Sequence, residues 1–367
     1  MSLRAFFRLP DDDRAYSVGG EWTVVKGGVA SVGSESGFVL APFSPCRDMP
    51  VLLLPARACQ PFDLSVVDDA DAAVPPFHAP HAETDEERYA RQFALYHEPL
   101  RSGQFQKLVL SRRKLLDFCE AIRLRPDQHL YRQLFRRACQ QYPDAFVALV
   151  ETDGHGTWLT ATPEVLLRAV GGHRYHTMAL AGTMPYTMDP AWSQKNRDEQ
   201  QYVADYIGRC LRASADDIEQ SPTRTVRAGH LAHLRTDFQF ALRGPEQFGR
   251  LLDALHPTPA VCGLPKQEAY AFLREHAARE RQYYSGFLGP VGLHADDSSE
   301  ELTALYVNLR CMQLSPAGIS LYAGGGLLAE SREHDEFLET EAKMLTMLRL
   351  LESSCATEET LKGPNLQ

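Results

Sequence analysis

The chain has 367 residues, of which 44% are hydrophobic and 23% are charged, which is typical of a globular protein with one large domain or two ordinary ones. Its formal net charge is −10 and it has no strong basic block, so the composition argues against a nucleic-acid partner and against a membrane surface. No apolar stretch reaches membrane-spanning length, and the first residues lack an apolar core of signal-peptide length, so we expect a cytoplasmic protein.

The first 82 residues carry few signs of chemistry. Two apolar runs, 51–54 and 63–67, predict buried strands. The acidic and proline-rich stretch 68–82 predicts an exposed connection. We therefore place a boundary at residue 82 and interpret residues 1–82 as a poorly informative part of the same fold, not as an independent folding unit.

The rest of the chain mixes helices and strands without a regular βαβ alternation. Apolar residues at helical spacing predict helices at 83–102, 130–142, 191–213, 246–255, 267–283 and 333–351. Apolar runs between turn signals predict strands at 105–116, 145–150, 157–160, 165–170, 174–180, 226–231, 235–242, 287–294, 304–314 and 319–323. Because many strands form hairpins, we predict an α+β fold, a single large domain of layered, large antiparallel sheets flanked by helices. The tail 352–367 is predicted to be disordered.

Two titratable residues stand beside apolar strands. Lys107 begins the run Leu108 to Leu110; a lysine there usually extends to solvent, but an enclosed one would have a lowered pKa and could act as a general base. Glu164 directly precedes another apolar run, so it is either an edge residue or a carboxyl whose pKa is raised for proton donation. Neither residue on its own outweighs the ordinary structural explanation.

Other polar residues also have two interpretations. The segment 181–183, Ala-Gly-Thr, ends a predicted strand and is either a turn or a wall of small residues facing a ligand. Glu199 lies on a predicted helix, where such a residue is usually solvated or paired with Lys195. A lone His233 is more often structural than catalytic. Arg310 closes an apolar strand, and an arginine there needs an anionic partner, which favours a functional role more strongly.

A glycine-rich segment precedes the last predicted helix. Gly324 and the two glycines after it follow a predicted strand and form a predicted turn, and Glu336, Glu339 and Lys343 follow at helical spacings of three and four. Glycine lets the backbone approach a ligand, and two carboxylates beside an ammonium could hold a hard cation and an anionic substrate. The alternative is a solvated helix with one Glu–Lys pair, and this segment alone favours that alternative.

Ten segments, in order, together resemble the chorismate-utilising enzyme family over about residues 83–350. They are KLVLSR (107–112), TPEVLL (162–167), ALAGT (179–183), KNRDEQQYV (195–203), HLRT (233–236), LHPTPAVCGLP (255–265), RQYYSGFLG (281–289), NLR (308–310), YAGGGLLAES (322–331) and EFLETEAK (336–343). The resemblance implies a chorismate-binding-type domain in which residues 83–351 form the catalytic region.

Two positions distinguish the branches of this family. Lys107 stands where the anthranilate branch typically carries Gln, and it looks like the water-activating base of the isochorismate and salicylate branches. Ala181 stands where aminodeoxychorismate synthases typically carry a nucleophilic Lys. The sequence is therefore most similar to isochorismate synthases. The alternatives are a salicylate synthase, which adds pyruvate elimination to the same first step, and a non-catalytic chorismate-binding or partner protein.

The resemblance also implies a reaction, in which chorismate loses its 4-hydroxyl group while water adds at C2. Lys107 would be the base that activates water, and Glu164 would be the acid for the leaving hydroxyl, on opposite sides of the ring. Mg²⁺, which prefers carboxylates and water, would bind the ring carboxylate. Glu199 and Glu339 would be its ligands, with Glu336 beside them or acting through water.

The remaining assignments concern the substrate itself. The resemblance implies that Arg310, Lys343 and the Gly324 backbone hold the enolpyruvyl carboxylate. The ring would be lined by small residues and oriented by His233; the small residues are Ala181, Gly182 and Thr183. The expected partner is the small molecule chorismate, with no nucleic acid and no membrane, and the chain is expected to be a monomer. Isochorismate feeds menaquinone and siderophore biosynthesis, and the sequence leaves this choice of pathway open.

Overall fold

The computed structural model describes residues 2–65, 77–78, 85–118, 128–295, 301–315 and 318–351. Within these ranges the helices are α1 (Asp85–Arg101), α2 (Gln128–Gln141), α3 (Gln194–Ser214), α4 (Gln247–Leu255), α5 (Lys266–His276), α6 (Ala278–Arg281) and α7 (Glu333–Leu351), with a short 3-10 helix at Gly28–Ser31. The strands are β1 (Leu3–Arg8), β2 (Ala15–Gly19), β3 (Thr23–Val24), β4 (Gly37–Ala41), β5 (Leu52–Pro55), β6 (Ala58–Phe62), β7 (Phe77–His78), β8 (Lys107–Phe118), β9 (Phe146–Glu151), β10 (Thr157–Thr162), β11 (Val165–Ala169), β12 (Arg174–Pro185), β13 (Ala215–Gln220), β14 (Arg224–Ala228), β15 (Leu231–Leu242), β16 (Gly263–Leu264), β17 (Phe287–Val291), β18 (Leu293–Ala295), β19 (Glu301–Leu302), β20 (Ala304–Val307), β21 (Cys311–Ser315) and β22 (Gly318–Leu327).

The strands form two large sheets. The larger sheet has twelve strands in the order β16-β8-β22-β21-β10-β9-β1-β2-β6-β18-β19, with β7 paired to β8. The smaller sheet has ten, in the order β13-β15-β12-β11-β20-β17-β4-β5-β3, with β14 paired to β15. Among the described strand pairs, only β6 and β18 run parallel. Strands from the first 62 residues contribute to both sheets.

The two sheets pack face to face, and helices cover their outer faces. Between the sheets, the rings of Phe146 on β9 and Tyr306 on β20 stack with centroids 4.1 Å apart, a contact worth about 0.5–1.5 kcal/mol beyond the buried area. The outer face of the smaller sheet packs against α3, which buries Val203, Ile207 and Leu211 at a spacing of four. Helices α2 and α7 cover the outer face of the larger sheet. The predicted layered α+β fold is thus confirmed.

Several predicted strand boundaries are wrong. The run 63–67 is not a strand over its described part, because β6 already ends at Phe62. The predicted strand 226–231 spans β14, a turn and the start of β15, and the turn needs Gly229, whose φ is +61°. The edge strand β13, which has exposed acidic residues, was missed altogether. Two predictions, the exposed connection 68–82 apart from residues 77–78 and the disordered tail 352–367, lie outside the described residues.

Other corrections concern elements near the candidate site. The predicted helix 267–283 is divided at Ala277, so that Arg281 turns inward to buried carbonyls. The predicted strand 304–314 is interrupted at 308–310, so Arg310 lies in a loop between β20 and β21 and not in a strand. The three glycines that begin at Gly324 form no turn, because β22 continues through them in register with β8. These differences all arise from tertiary contacts that local patterning does not encode.

Candidate active site

A cavity lies where β8, β12, β15 and β22 meet α3 and α7. The structure brings nine of the predicted site residues to its wall: Glu164, Ala181, Gly182, Thr183, Glu199, His233, Arg310, Gly324 and Lys343. We call this space the central cavity. A second concavity adjoins it through Thr183 and contains the other two predicted metal ligands, Glu336 and Glu339, together with Lys195, Glu330, Arg332 and Asp335. We call this the outer groove.

Glu164 is held in the turn between β10 and β11 at the wall of the central cavity. Its backbone carbonyl accepts from Val307 N at 3.0 Å, and its backbone N–H donates to Thr162 Oγ1 at 3.3 Å. Only 2% of the residue is exposed. Burial raises the pKa of its carboxyl to about 8, against the opposing charges of Lys107, Arg310 and Lys343. Glu164 is therefore mainly a neutral carboxylic acid at pH 7 and can donate a proton.

Lys107 lies behind the cavity wall. It is the first residue of β8, is fully buried, and places Nζ 2.9 Å from Glu199 Oε1 on α3. Glu199 lines the cavity, whereas Lys107 itself does not. The pair packs on the backbone of β22 at Gly326, where a Cβ atom would overlap Glu199 Oε1 and lie 2.8 Å from Lys107 Cε. A glycine is required there because the lysine and the glutamate occupy the space of a side chain.

A second ion pair connects α7 to the glycine-rich part of β22. Lys343 Nζ donates to Glu339 Oε1 at 2.6 Å and to the carbonyl oxygen of Gly324 at 2.8 Å. Burial alone would raise the pKa of Glu339, but the Lys343 ammonium, with Lys195, holds it below its ordinary value. Glu339 therefore stays an anion at neutral pH, as a metal ligand must.

Glu336 makes a third ion pair, with Lys195 of α3, and accepts a hydrogen bond from Ser331 Oγ at 2.7 Å. Burial and the nearby Glu339 carboxylate raise the pKa of Glu336. Its other oxygen, Oε2, is buried and has no hydrogen-bond partner among the described residues. That oxygen faces Gly325, where a Cβ atom would lie 3.1 Å from it.

Each predicted metal ligand therefore has its own lysine. The alternative in which Glu199 is solvated or paired with Lys195 is not what the structure shows: Glu199 is buried and pairs with Lys107, and Lys195 pairs with Glu336. In the described part of the chain, no three acidic, histidine or cysteine residues already stand in the arrangement of a metal site. The donors still fit Mg²⁺, since all three are carboxylates. The unpartnered Oε2 of Glu336 also offers a free ligand atom.

Arg310 and His233 form a directed hydrogen-bond chain. Burial lowers the pKa of His233 to about 3, so its ring is neutral. Its Nδ1 lies 3.0 Å from the carbonyl oxygen of Gly182, which can only accept, so Nδ1 carries the proton and Nε2 accepts from Arg310 Nη2 at 3.0 Å. Arg310 has φ +47°, and its other terminal nitrogen is buried with no hydrogen-bond partner among the described residues. The guanidinium thus has a free donor for an anion.

The segment 181–183 forms a bulge in β12. The register with β15 shifts between Ala181 and Thr183, and Gly182 has φ +66°. A Cβ atom at Gly182 would lie 3.2 Å from Asn196 Cβ. The bulge places small residues and one hydroxyl at the wall of the cavity, and their contact with a ligand stays a prediction.

Sequence reasoning missed residues that support the wall from behind. Arg281 is 1% exposed and donates to the carbonyl oxygens of Val109 at 2.5 Å and Val261 at 2.7 Å, and to Ser111 Oγ at 2.9 Å. It thereby joins β8, which carries Lys107, to the loop before β16. The only available signal was that Arg281 opens one of the ten family-like segments.

The fold and the site together define a class of protein, an α+β domain with a cavity lined by lysine, arginine and carboxylate side chains. The family model described as "Chorismate binding enzyme" matches residues 64–352, and the chain belongs to this family. The resemblance read from the ten segments is thereby confirmed.

Two curated relatives are isochorismate synthases. Isochorismate synthase DhbC of Bacillus subtilis is 31% identical over an alignment of 266 residues, and the match covers 68% of this chain and 64% of the relative. The salicylate biosynthesis isochorismate synthase of Pseudomonas aeruginosa is 32% identical over an alignment of 279 residues, and the match covers 71% of this chain and 54% of the relative. The matches thus span less than two thirds of either relative.

The fold has a close counterpart among solved structures. MenF, the menaquinone-specific isochorismate synthase from Escherichia coli, superposes with a TM-score of 0.77 at 21% identity, covering 96% of this chain and 89% of that one. This likeness supports the fold. Among the helices that the structure describes, none is long and apolar enough to cross a membrane.

Proposed function

We propose that this protein is an isochorismate synthase, which converts chorismate to isochorismate with Mg²⁺ as cofactor. The observation that carries the proposal is a buried carboxylic acid, Glu164, whose pKa is raised to about 8 and whose neighbours include the buried lysine Lys107. An acid and a potential base of this kind are the two groups that the exchange of one hydroxyl for another requires. The similarity to curated isochorismate synthases supports the same reaction.

In the proposed reaction, Glu164 donates its proton to the 4-hydroxyl group of chorismate, which leaves as water. Lys107 is the base in this proposal, and it takes a proton from the water that adds at C2. One water enters and one leaves, and the ring double bonds shift between the two positions. Proton exchange with solvent then returns both residues to their starting forms.

The two carboxylates of chorismate need positive partners. The free donor of Arg310 would bind one of them, and His233 holds the guanidinium in place. Lys343, on the opposite element α7, adds a second cation to the wall of the cavity. Both would bind the enolpyruvyl carboxylate, and the bulge at 181–183 would accommodate the ring.

The ring carboxylate is assigned to a metal site on α3 and α7. Glu199 and Glu339 would hold Mg²⁺, and Glu336 would join them through its unpartnered oxygen. When bound, the ion supplies positive charge next to the ring carboxylate. The protein's part is to fix the three carboxylates, which it does through α3, α7 and the side-chain-free surface at Gly325 and Gly326.

The test is to incubate purified protein with chorismate and MgCl₂ and to identify the product by chromatography. Isochorismate as the accumulating product supports the proposal. Salicylate would indicate a salicylate synthase, and anthranilate formed in the presence of ammonia would indicate the anthranilate branch. Tight binding of chorismate without turnover would instead indicate a non-catalytic binding protein.

A further inference from the structure

Lys195 occupies an unusual place for a lysine. It lies in the first turn of α3, directly after the capping residue Ser193 and Gln194, where the helix dipole disfavours a positive charge. Its side chain is only 18% exposed. It lies against Glu336 on α7, so it joins the two helices that carry the proposed metal ligands. Helix formation does not explain this lysine, whereas the neighbouring carboxylates do.

The ammonium of Lys195 serves all three carboxylates. It is in contact with Glu336, and Glu199 and Glu339 act on the same charge electrostatically. The other two lysines each have one dedicated carboxylate, Lys107 with Glu199 and Lys343 with Glu339. Without Lys195, the negative charges of this cluster would exceed its lysines by one, and Glu336 would be the acid left without a cation.

The cluster also contains an incomplete ligand. Glu336 is 3% exposed, and its Oε2 has no hydrogen-bond partner among the described residues although its Oε1 contacts both Lys195 and Ser331. A buried carboxylate oxygen without a donor is costly. Oε2 of Glu336 can therefore bind a cation, because Lys195 contacts only Oε1.

Space for the lysine to leave exists on its solvent side. Lys195, Glu336 and Glu339 all line the outer groove, which has a volume of about 470 Å³. Two further acidic residues, Glu330 and Asp335, line the same groove, against one further cation, Arg332. An ammonium that moves outward therefore enters a region with an excess of negative charge, and the same excess attracts an incoming divalent cation.

We propose that Lys195 is a displaceable counter-ion, which holds Glu199, Glu336 and Glu339 together in the metal-free protein and turns into the outer groove when a divalent cation binds. The inference rests on the metal site of the proposed function. It makes the lysine a competitor of the metal and not a support for it. A competitor that occupies the site in nine molecules of ten or more weakens apparent metal affinity by about tenfold or more.

The experiment measures binding of MgCl₂ alone to the metal-free, substrate-free protein by calorimetry, together with the Tm in EDTA. Lys195→Met removes the charge at similar length, and Lys195→Gln removes it while keeping a polar donor. Lys195→Arg keeps the charge, and Lys26→Met removes one charge from an exposed lysine outside both cavities. We expect the Met and Gln variants to bind Mg²⁺ about tenfold or more tightly than the natural protein, with a lower Tm in EDTA that Mg²⁺ restores. The Arg and Lys26 variants should behave like the natural protein.

The outcomes separate this inference from the proposed function. If the natural protein binds Mg²⁺ and neither neutral variant binds it more tightly, Lys195 is not a competitor, and the metal site stands without it. If only the neutral variants bind Mg²⁺, the inference is supported in its strongest form. If no form of the protein binds Mg²⁺, the metal role and the inference both fail.

Discussion

Replacing Glu164 by glutamine removes the proposed acid while keeping its size. At a pKa of about 8, roughly nine molecules in ten carry the proton at pH 7. Glutamine cannot donate a proton of that acidity, so turnover should fall by about 10²- to 10⁴-fold, the usual contribution of a general acid. In the natural protein kcat should decline as pH rises through about 8, and this decline should be absent from the residual activity of the variant.

The same substitution has a second consequence, for stability. The folded-state pKa of Glu164 lies above the ordinary value of 4.5, so the folded protein binds more protons than the unfolded chain between these two pH values. The contribution of protonated Glu164 to the free energy of unfolding is therefore fully present below pH 4.5, and it is lost as pH rises through about 8. The loss is on the order of 4–5 kcal/mol once both states are ionised. Glutamine does not titrate, so Glu164→Gln should become more stable relative to the natural protein as pH increases.

Two assays check this reasoning: initial rates of chorismate consumption from pH 6 to 9.5, and urea unfolding at pH 5 and pH 9. The matched control is Glu151→Gln, since Glu151 is also a buried glutamate whose pKa burial raises, but it lies outside both cavities. We expect the control to retain activity. Near-normal activity in Glu164→Gln, or a stability difference that does not change with pH, would refute the assignment of Glu164 as a buried neutral acid.

Three further substitutions test other parts of the site. Lys107→Met should lower kcat by about 10²-fold or more while the far-UV circular dichroism is unchanged; a rate within threefold of normal would exclude Lys107 as the base. Gly326→Ala should abolish turnover, because the added methyl displaces Glu199 and Lys107. Gly208→Ala, where the nearest atom to the added methyl lies 3.5 Å away, should retain it, and equal activities would contradict the packing argument. Arg310→Lys should raise KM for chorismate about tenfold or more. A lysine has one ammonium group, so it cannot donate to His233 Nε2 and also offer two parallel donors to a carboxylate. An unchanged KM would show that Arg310 does not bind substrate.

Local hydrophobic patterns predict most of the helices and strands of this fold. Val203, Ile207 and Leu211 recur every four residues and define the buried face of α3, and alternating apolar strands define the two sheets. These signals are local in sequence and need no knowledge of partners. They cannot predict where a contact with a distant residue interrupts the pattern. The strand predicted over 304–314 breaks at Arg310 because that residue turns toward His233, which lies 77 residues away.

In the candidate site, too, contacts within one element are predictable from the sequence and contacts between distant elements are not. The pair Glu339–Lys343 lies within one helical turn, and its spacing alone predicted a Glu–Lys pair. Lys107 and Glu199 meet across 92 residues of sequence, and the contact of Lys195 with Glu336 spans 141. No spacing rule reaches such distances, so the sequence predicted neither of these two pairs. The resemblance to a family located the residue types, but only the fold shows which charges face each other.

The most direct test of the central claim is the reaction of chorismate with Mg²⁺ in water enriched in ¹⁸O, followed by mass spectrometry of the isolated product. We predict isochorismate that carries one ¹⁸O atom, located at C2, and no product when EDTA removes the metal. Isochorismate without the label would contradict addition of water at C2. Salicylate, anthranilate or unreacted chorismate as the end point would contradict the assignment of this protein as an isochorismate synthase.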